Sequence, residues 1–106
     1  MNKFFTFQIL FLAIIFCGQI YATDRIVELN SLEFKPVKMQ IKLNDTVTFI
    51  NTDNDFHNVY STSKKNPIHL GAIANSDRAE YTFTNSGLFE LRCAVHNDMS
   101  MIIKVE

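Results

Sequence analysis

Short stretches in which apolar and polar residues alternate with a period of two, each bounded by turn residues, run along most of this chain. From Val37 to Leu43, the apolar Val37, Met39, Ile41 and Leu43 alternate with Lys38, Gln40 and Lys42. A helix would scatter these four around its circumference, whereas a strand gathers them on one face. Asn44-Asp45 supplies turn chemistry, and the β-branched run Thr46-Val47-Thr48-Phe49-Ile50 reads as the next strand, so the spacing predicts a hairpin. Ile26 to Phe34, Val59 to Thr62, Tyr81 to Thr84, Leu88 to Cys93 and Met101 to Val105 read as further strands. Long helices are not evident. Roughly seven short strands with turns between them predict an all-β fold, a Greek-key β-sandwich. Residues 61–78 give the weakest signal and read as loops around Ile68 to Leu70.

The chain opens with Lys3, an apolar stretch from Phe4 to Phe16 and the small residue Ala22. This is the pattern of a secretory signal peptide over residues 1–22, with a single domain over residues 23–106. The apolar stretch is short beside the roughly 20 residues of a membrane span, so stable membrane insertion after cleavage is not expected. Cleavage removes Lys3 alone among the charges, leaving nine basic and eleven acidic residues, a net charge of −2. That balance suggests neither a nucleic-acid nor a membrane-surface partner. The remaining 84 residues lie near the lower limit for a self-sufficient core. Exported domains of this size often rely on disulfides, but Cys93 is left without a partner once Cys17 is removed with the leader. An unpaired thiol here points to a reactive or metal-bound cysteine, and bound metal would favour the folded chain.

Cys93 ends a strand in which Phe89, Leu91 and Cys93 share the inward face. It is followed at once by His96 and then by two methionines, Met99 and Met101, while His57 lies upstream at a strand edge in DNDFHNVYS. Thiolate and thioether favour Cu(I) and imidazole tolerates both oxidation states, so a set of two imidazoles, one thiolate and an axial thioether suits one copper ion working as a single-electron site. Loops at one end of a sandwich can bring such distant positions together. Singly, each residue has a blander reading: a lone inward cysteine is usually core, and a histidine at a strand end is usually solvated. Their conjunction carries the metal reading. His69, in a loop without companion donors, is read as an ordinary surface histidine.

The segments FKPVKMQIKLNDTVTFINTDNDFHNVY and GLFELRCAVHNDMSMIIKVE resemble the cupredoxins, the small blue-copper proteins, and most closely their bacterial amicyanin and plastocyanin-like group. The specific parts are the His-Asn-Val run at His57 and the Cys-x-x-His followed by Met. The resemblance implies His57, Cys93 and His96 as equatorial ligands, with the backbone N–H of Asn58 directed at the Cys93 sulfur. For the axial ligand, the amicyanin-like spacing selects Met99 and the plastocyanin-like spacing selects Met101. Met99 is preferred, because it leaves enough chain for a closing strand in which Met101, Ile103 and Val105 face inward. Two features depart from the family pattern. Val95 stands where many relatives have proline, so its N–H is expected to give the sulfur a second hydrogen bond. Asn97-Asp98 puts polar residues where relatives often place apolar ones, which calls the usual hydrophobic docking patch into question and hints at a basic partner surface.

The function expected from this reading is a periplasmic blue-copper protein, monomeric and not an enzyme, that carries single electrons between redox proteins such as a c-type cytochrome or a periplasmic dehydrogenase. A copper-binding or delivery protein holding Cu(I) is the alternative from a different class. A thiol hydrolase built on Cys93 and a histidine base is the third, disfavoured because the chain is too small to enclose a substrate cleft.

Overall fold

The computed structural model describes residues 25–106, and the expected leader at residues 1–22 lies outside the described residues. The described chain is all strand and loop. It forms β1 (Arg25–Asn30), β2 (Glu33–Lys35), β3 (Lys38–Ile41), β4 (Thr46–Asn51), β5 (His57–Ser61), β6 (Ile68–Ile73), β7 (Arg78–Thr82), β8 (Gly87–Cys93) and β9 (Ser100–Val105). Two sheets face each other, one of four strands in the order β2-β1-β4-β7 and one of five in the order β3-β9-β8-β5-β6. The pairs β1–β4 and β3–β9 are parallel and the remaining pairs antiparallel. This is the expected all-β sandwich.

The period-two pattern becomes the core. Phe89, Leu91 and Cys93 of β8 are buried while Leu88, Glu90 and Arg92 are exposed, and Met101, Ile103 and Val105 of β9 are buried between exposed neighbours. They meet Val27, Leu29, Val47 and Phe49 from the other sheet in one apolar cluster. Phe83 closes that cluster at one end, with Tyr81 edge-on to it at 4.8 Å and Phe89 at 6.0 Å between ring centroids.

Three expectations about the strands need correction. The predicted strand from Ile26 to Phe34 is two strands, because Ser31 and Leu32 adopt left-handed backbone angles (φ 56° and 63°) and turn the chain back on itself. The segment around Ile68 is not loop but β6, which buries Ile68 and Ile73 at its two ends. Its partner β5 shifts register between Asn58 and Tyr60, so simple alternation does not mark it. These changes raise the count from about seven to nine. Finally, Asn44-Asp45 does turn the chain: Asn44 has φ 73°, the Asp45 N–H donates to the Lys42 carbonyl at 3.0 Å, and its carboxylate accepts the Lys42 N–H at 2.9 Å. The strands on either side do not pair, however. Both neighbours of β4 are already taken, by β1 and β7, and β3 crosses to the other sheet to pair with β9.

The topology gathers four loops at one end of the sandwich: residues 31–32, 52–56, 74–77 and 94–99. Asn51, fully buried, ties two of them together, 52–56 and 74–77. Its amide donates to the Asp55 carbonyl at 2.8 Å and to the Ile73 carbonyl at 2.7 Å, and its Oδ1 accepts the Asp53 N–H at 2.7 Å.

Candidate metal centre

Cys93 is the last residue of β8 and His57 the first of β5, two strands that pair with Val59 opposite Cys93. The backbone of Asn58 fastens them twice, its N–H reaching the Cys93 sulfur at 3.5 Å and its carbonyl accepting the Ala94 N–H at 2.9 Å. Beyond Cys93 the chain turns outward, and the Met99 N–H closes the loop on the His96 carbonyl at 3.1 Å. The loop folds His96 back over the thiol.

As a result, the Nδ1 atoms of His57 and of His96 each lie 3.7 Å from the Cys93 sulfur, and the three donor atoms all lie within 4.8 Å of one another. These separations fit a shared ion. Bonds of about 2.3 Å to thiolate and about 2.0 Å to imidazole, as zinc makes them, put two donors about 3.7 Å apart across a trigonal angle. His57 and Cys93 are buried, with 0% and 1% exposure, while the His96 side chain keeps 21%. Among the described residues, Cys93 forms no disulfide. The soft thiolate beside two imidazoles is the donor chemistry that favours copper.

The plastocyanin/azurin family of copper-binding proteins matches residues 22–106. The chain belongs to that family. Its cofactor is one copper ion, and as a cupredoxin it shares its architecture with solved amicyanins. The reduced Cu(I) form at pH 4 of a proline-to-glycine amicyanin variant superposes with a TM-score of 0.74 at 22% identity, covering 83% of this chain and 87% of that one. A methionine-to-alanine variant of amicyanin in the Cu(I) state gives 0.74 at 21% identity, and an oxidised proline-to-alanine variant gives 0.73 at 22%, each over the same shares of the two chains. Likeness at this identity speaks for the fold alone. No curated protein sequence matches this cupredoxin.

Of the four residues singled out as ligands, the fold brings His57, Cys93 and His96 to one point. Met99 is 1% exposed in the loop that closes behind them, and Met101 is 2% exposed, in register with Leu91 on β8. His69 is exposed on β6, opposite Tyr60 and outside the cluster. The second hydrogen bond expected from Val95 is not formed: among the described residues, the backbone hydrogen bond to the Cys93 sulfur comes from Asn58. The loop bulges outward there and leaves the Val95 side chain 46% exposed.

Sequence reading missed Asp53. Its carboxylate lies 3.0 Å from His57 Nε2, on the side of the ring away from the sulfur. The bond to His57, and then the N–H groups of Ser31 and Leu32, hold that carboxyl below its usual range. The available signal was the Asn-x-Asp spacing of Asn51 and Asp53, which allows an Asn side chain to accept the N–H two residues on. The whole polar stretch was read only as the end of a strand.

Proposed function

We propose that this cupredoxin is an exported, periplasmic electron carrier whose copper is held by His57, Cys93 and His96, with Met99 as the axial ligand. The observation that carries the reading is the pair of equal 3.7 Å separations between one buried sulfur and two imidazole nitrogens. Bound copper supplies a one-electron couple, and a site of mixed soft and borderline donors suits both of its oxidation states. The protein contributes enclosure and fixity. His57 and Cys93 are closed to water, the Asn58 N–H takes up part of the charge on the sulfur, and the double backbone link from Asn58 holds the two ligand strands together.

The β-ladder supports Met99 over Met101. Leu91 pairs with Met101 and Arg92 with Ser100, so continuing the same register sets Met99 across from Cys93. Met101 lies one inward position further into the core. Burial also favours a carrier over a delivery protein, because handing copper to another protein requires donors that the acceptor can reach. His57 and Cys93 are out of reach.

His96 is the donor with an exposed edge, which makes it the natural place for a redox partner to approach. Around it, Phe56 and Val95 are 51% and 46% exposed, restoring an apolar element that Asn97-Asp98 had called into question. The four loops at this end contain Asp53, Asp55, Asp77 and Asp98 and no lysine or arginine of their own, and Arg92 of β8, which reaches the Asn97 carbonyl at 3.3 Å, is paired with Glu90. The loops at the opposite end, residues 42–45, 62–67 and 83–86, contain Lys42, Lys64 and Lys65 against Asp45. A redox protein with lysines or arginines around its own redox group complements this arrangement.

Loading the domain of residues 23–106 with Cu(II) tests the reading. The expected result is an intense visible thiolate-to-copper absorption with a narrow copper hyperfine splitting in EPR, both lost in Cys93→Ser, and reversible voltammetry without loss of metal. A colourless protein that binds only Cu(I) and yields it to an acceptor would establish delivery instead.

A further inference from the structure

His57 and His96 present the same ring atom to the sulfur, yet the two rings are held very differently. Behind His96 the nearby carboxylate is that of Asp55, 3.9 Å from Nε2 on a side chain that is 74% exposed. Behind the wholly buried His57 stands Asp53, at 3.0 Å and 22% exposed. Asp53 is itself fixed through its backbone. Its N–H donates to Asn51 Oδ1 at 2.7 Å, and its carbonyl accepts Asn75 Nδ2 at 2.6 Å.

We propose that Asp53 is the positioning residue of the copper centre: its carboxylate, held by the backbone bonds of Asp53 to Asn51 and Asn75, fixes His57 as the Nε2–H tautomer, so that the Nδ1 lone pair faces the sulfur. A neutral imidazole carries one proton, and the nitrogen with the better acceptor keeps it. Without Asp53 the proton could move to Nδ1 and point at the sulfur, blocking the donor atom. The loop that leaves β4 of the four-stranded sheet thus sets the orientation of a donor on the five-stranded sheet. The proposal rests on the reading of His57 as a ligand.

Ring ¹⁵N shifts of the metal-free protein test the first link without any variant. His57 is expected as a single Nε2–H tautomer, and a proton on Nδ1, or a mixture, would overturn the proposal. Copper affinity tests the rest. Asp53→Ala should weaken Cu(II) binding about 10- to 100-fold and alter the EPR hyperfine splitting, while Asp53→Asn, which keeps an acceptor oxygen, should stay within a few-fold of wild type. Unchanged affinity in Asp53→Ala, or equal losses in both variants, refutes the role. If the wild-type protein binds no copper, the ligand reading fails, and the tautomer still reports separately whether Asp53 fixes the ring.

Discussion

Cys93 and the two methionines beyond it separate what chemistry demands from what packing demands. Met101 and Met99 are both buried, but Met101 alternates with Ile103 and Val105 on the inward face of β9, where a thioether serves as a flexible apolar filler. Met101→Leu should therefore cost less than about 1.5 kcal/mol and leave the copper spectrum and reduction potential unchanged. Met99→Leu should raise the potential, since a weak axial donor tunes the couple, and voltammetry of the two variants side by side distinguishes them. Val95→Pro should leave the potential where it is, because the Val95 N–H does not reach the sulfur; a fall would show that copper draws the loop inward. The three residues that the fold clusters, His57, Cys93 and His96, were legible in the sequence because soft donors in so short a chain are conspicuous. Asp53 was not, since aspartate in a polar loop looks the same whether it faces water or an imidazole.

The hairpin of β1 and β2 is where local preference and final structure disagree most. Ser31 and Leu32 sit where asparagine and glycine would be at ease. Replacing Leu32 by glycine should raise stability by about 1 kcal/mol, measured by chemical denaturation of the metal-free domain. The same hairpin is tied to the loop of residues 52–56, which leads into His57, through Glu28 of β1, whose carboxylate accepts the Thr52 hydroxyl at 2.7 Å and the Asn30 amide at 3.2 Å. Those bonds, Thr52 first, lower the carboxyl's pKa below its ordinary value of 4.5. A lowered pKa means the charged form is favoured by folding. The resulting stability is present above about pH 4.5 and disappears as pH falls through the lower folded value. Melting temperature should accordingly drop more steeply in that window for wild type than for Glu28→Gln; parallel acid curves would remove Glu28 from the account. None of this pairing can be read along the chain, because Thr52 and Glu28 meet only after β1 and β4 lie side by side.

The molecule as a whole is a small sandwich with its acidic loops at the copper end and its loop lysines at the other. Association with a basic redox partner should therefore slow as ionic strength rises, and Asp55→Asn with Asp98→Asn should flatten that dependence while leaving the visible spectrum intact, as stopped-flow rates would report. The core is small enough for metal to matter to folding. Phe83→Ala, at a wholly buried position, should cost about 3–5 kcal/mol. Copper at 100 times its dissociation constant returns about 2.7 kcal/mol, so thermal unfolding of this variant should be rescued in large part by loading. The sequence by itself determined the class of fold and the candidate donors, because a period of two and the softness of a side chain are local properties. It also placed the turn at Asn44-Asp45. Only the tertiary structure decided that β3 and β4 part company there, that a ninth strand runs through Ile68 to Ile73, and that Asp53 stands behind His57. Those outcomes depend on which strand edges are free and which loops share an end, and both are settled by packing between residues far apart in the chain.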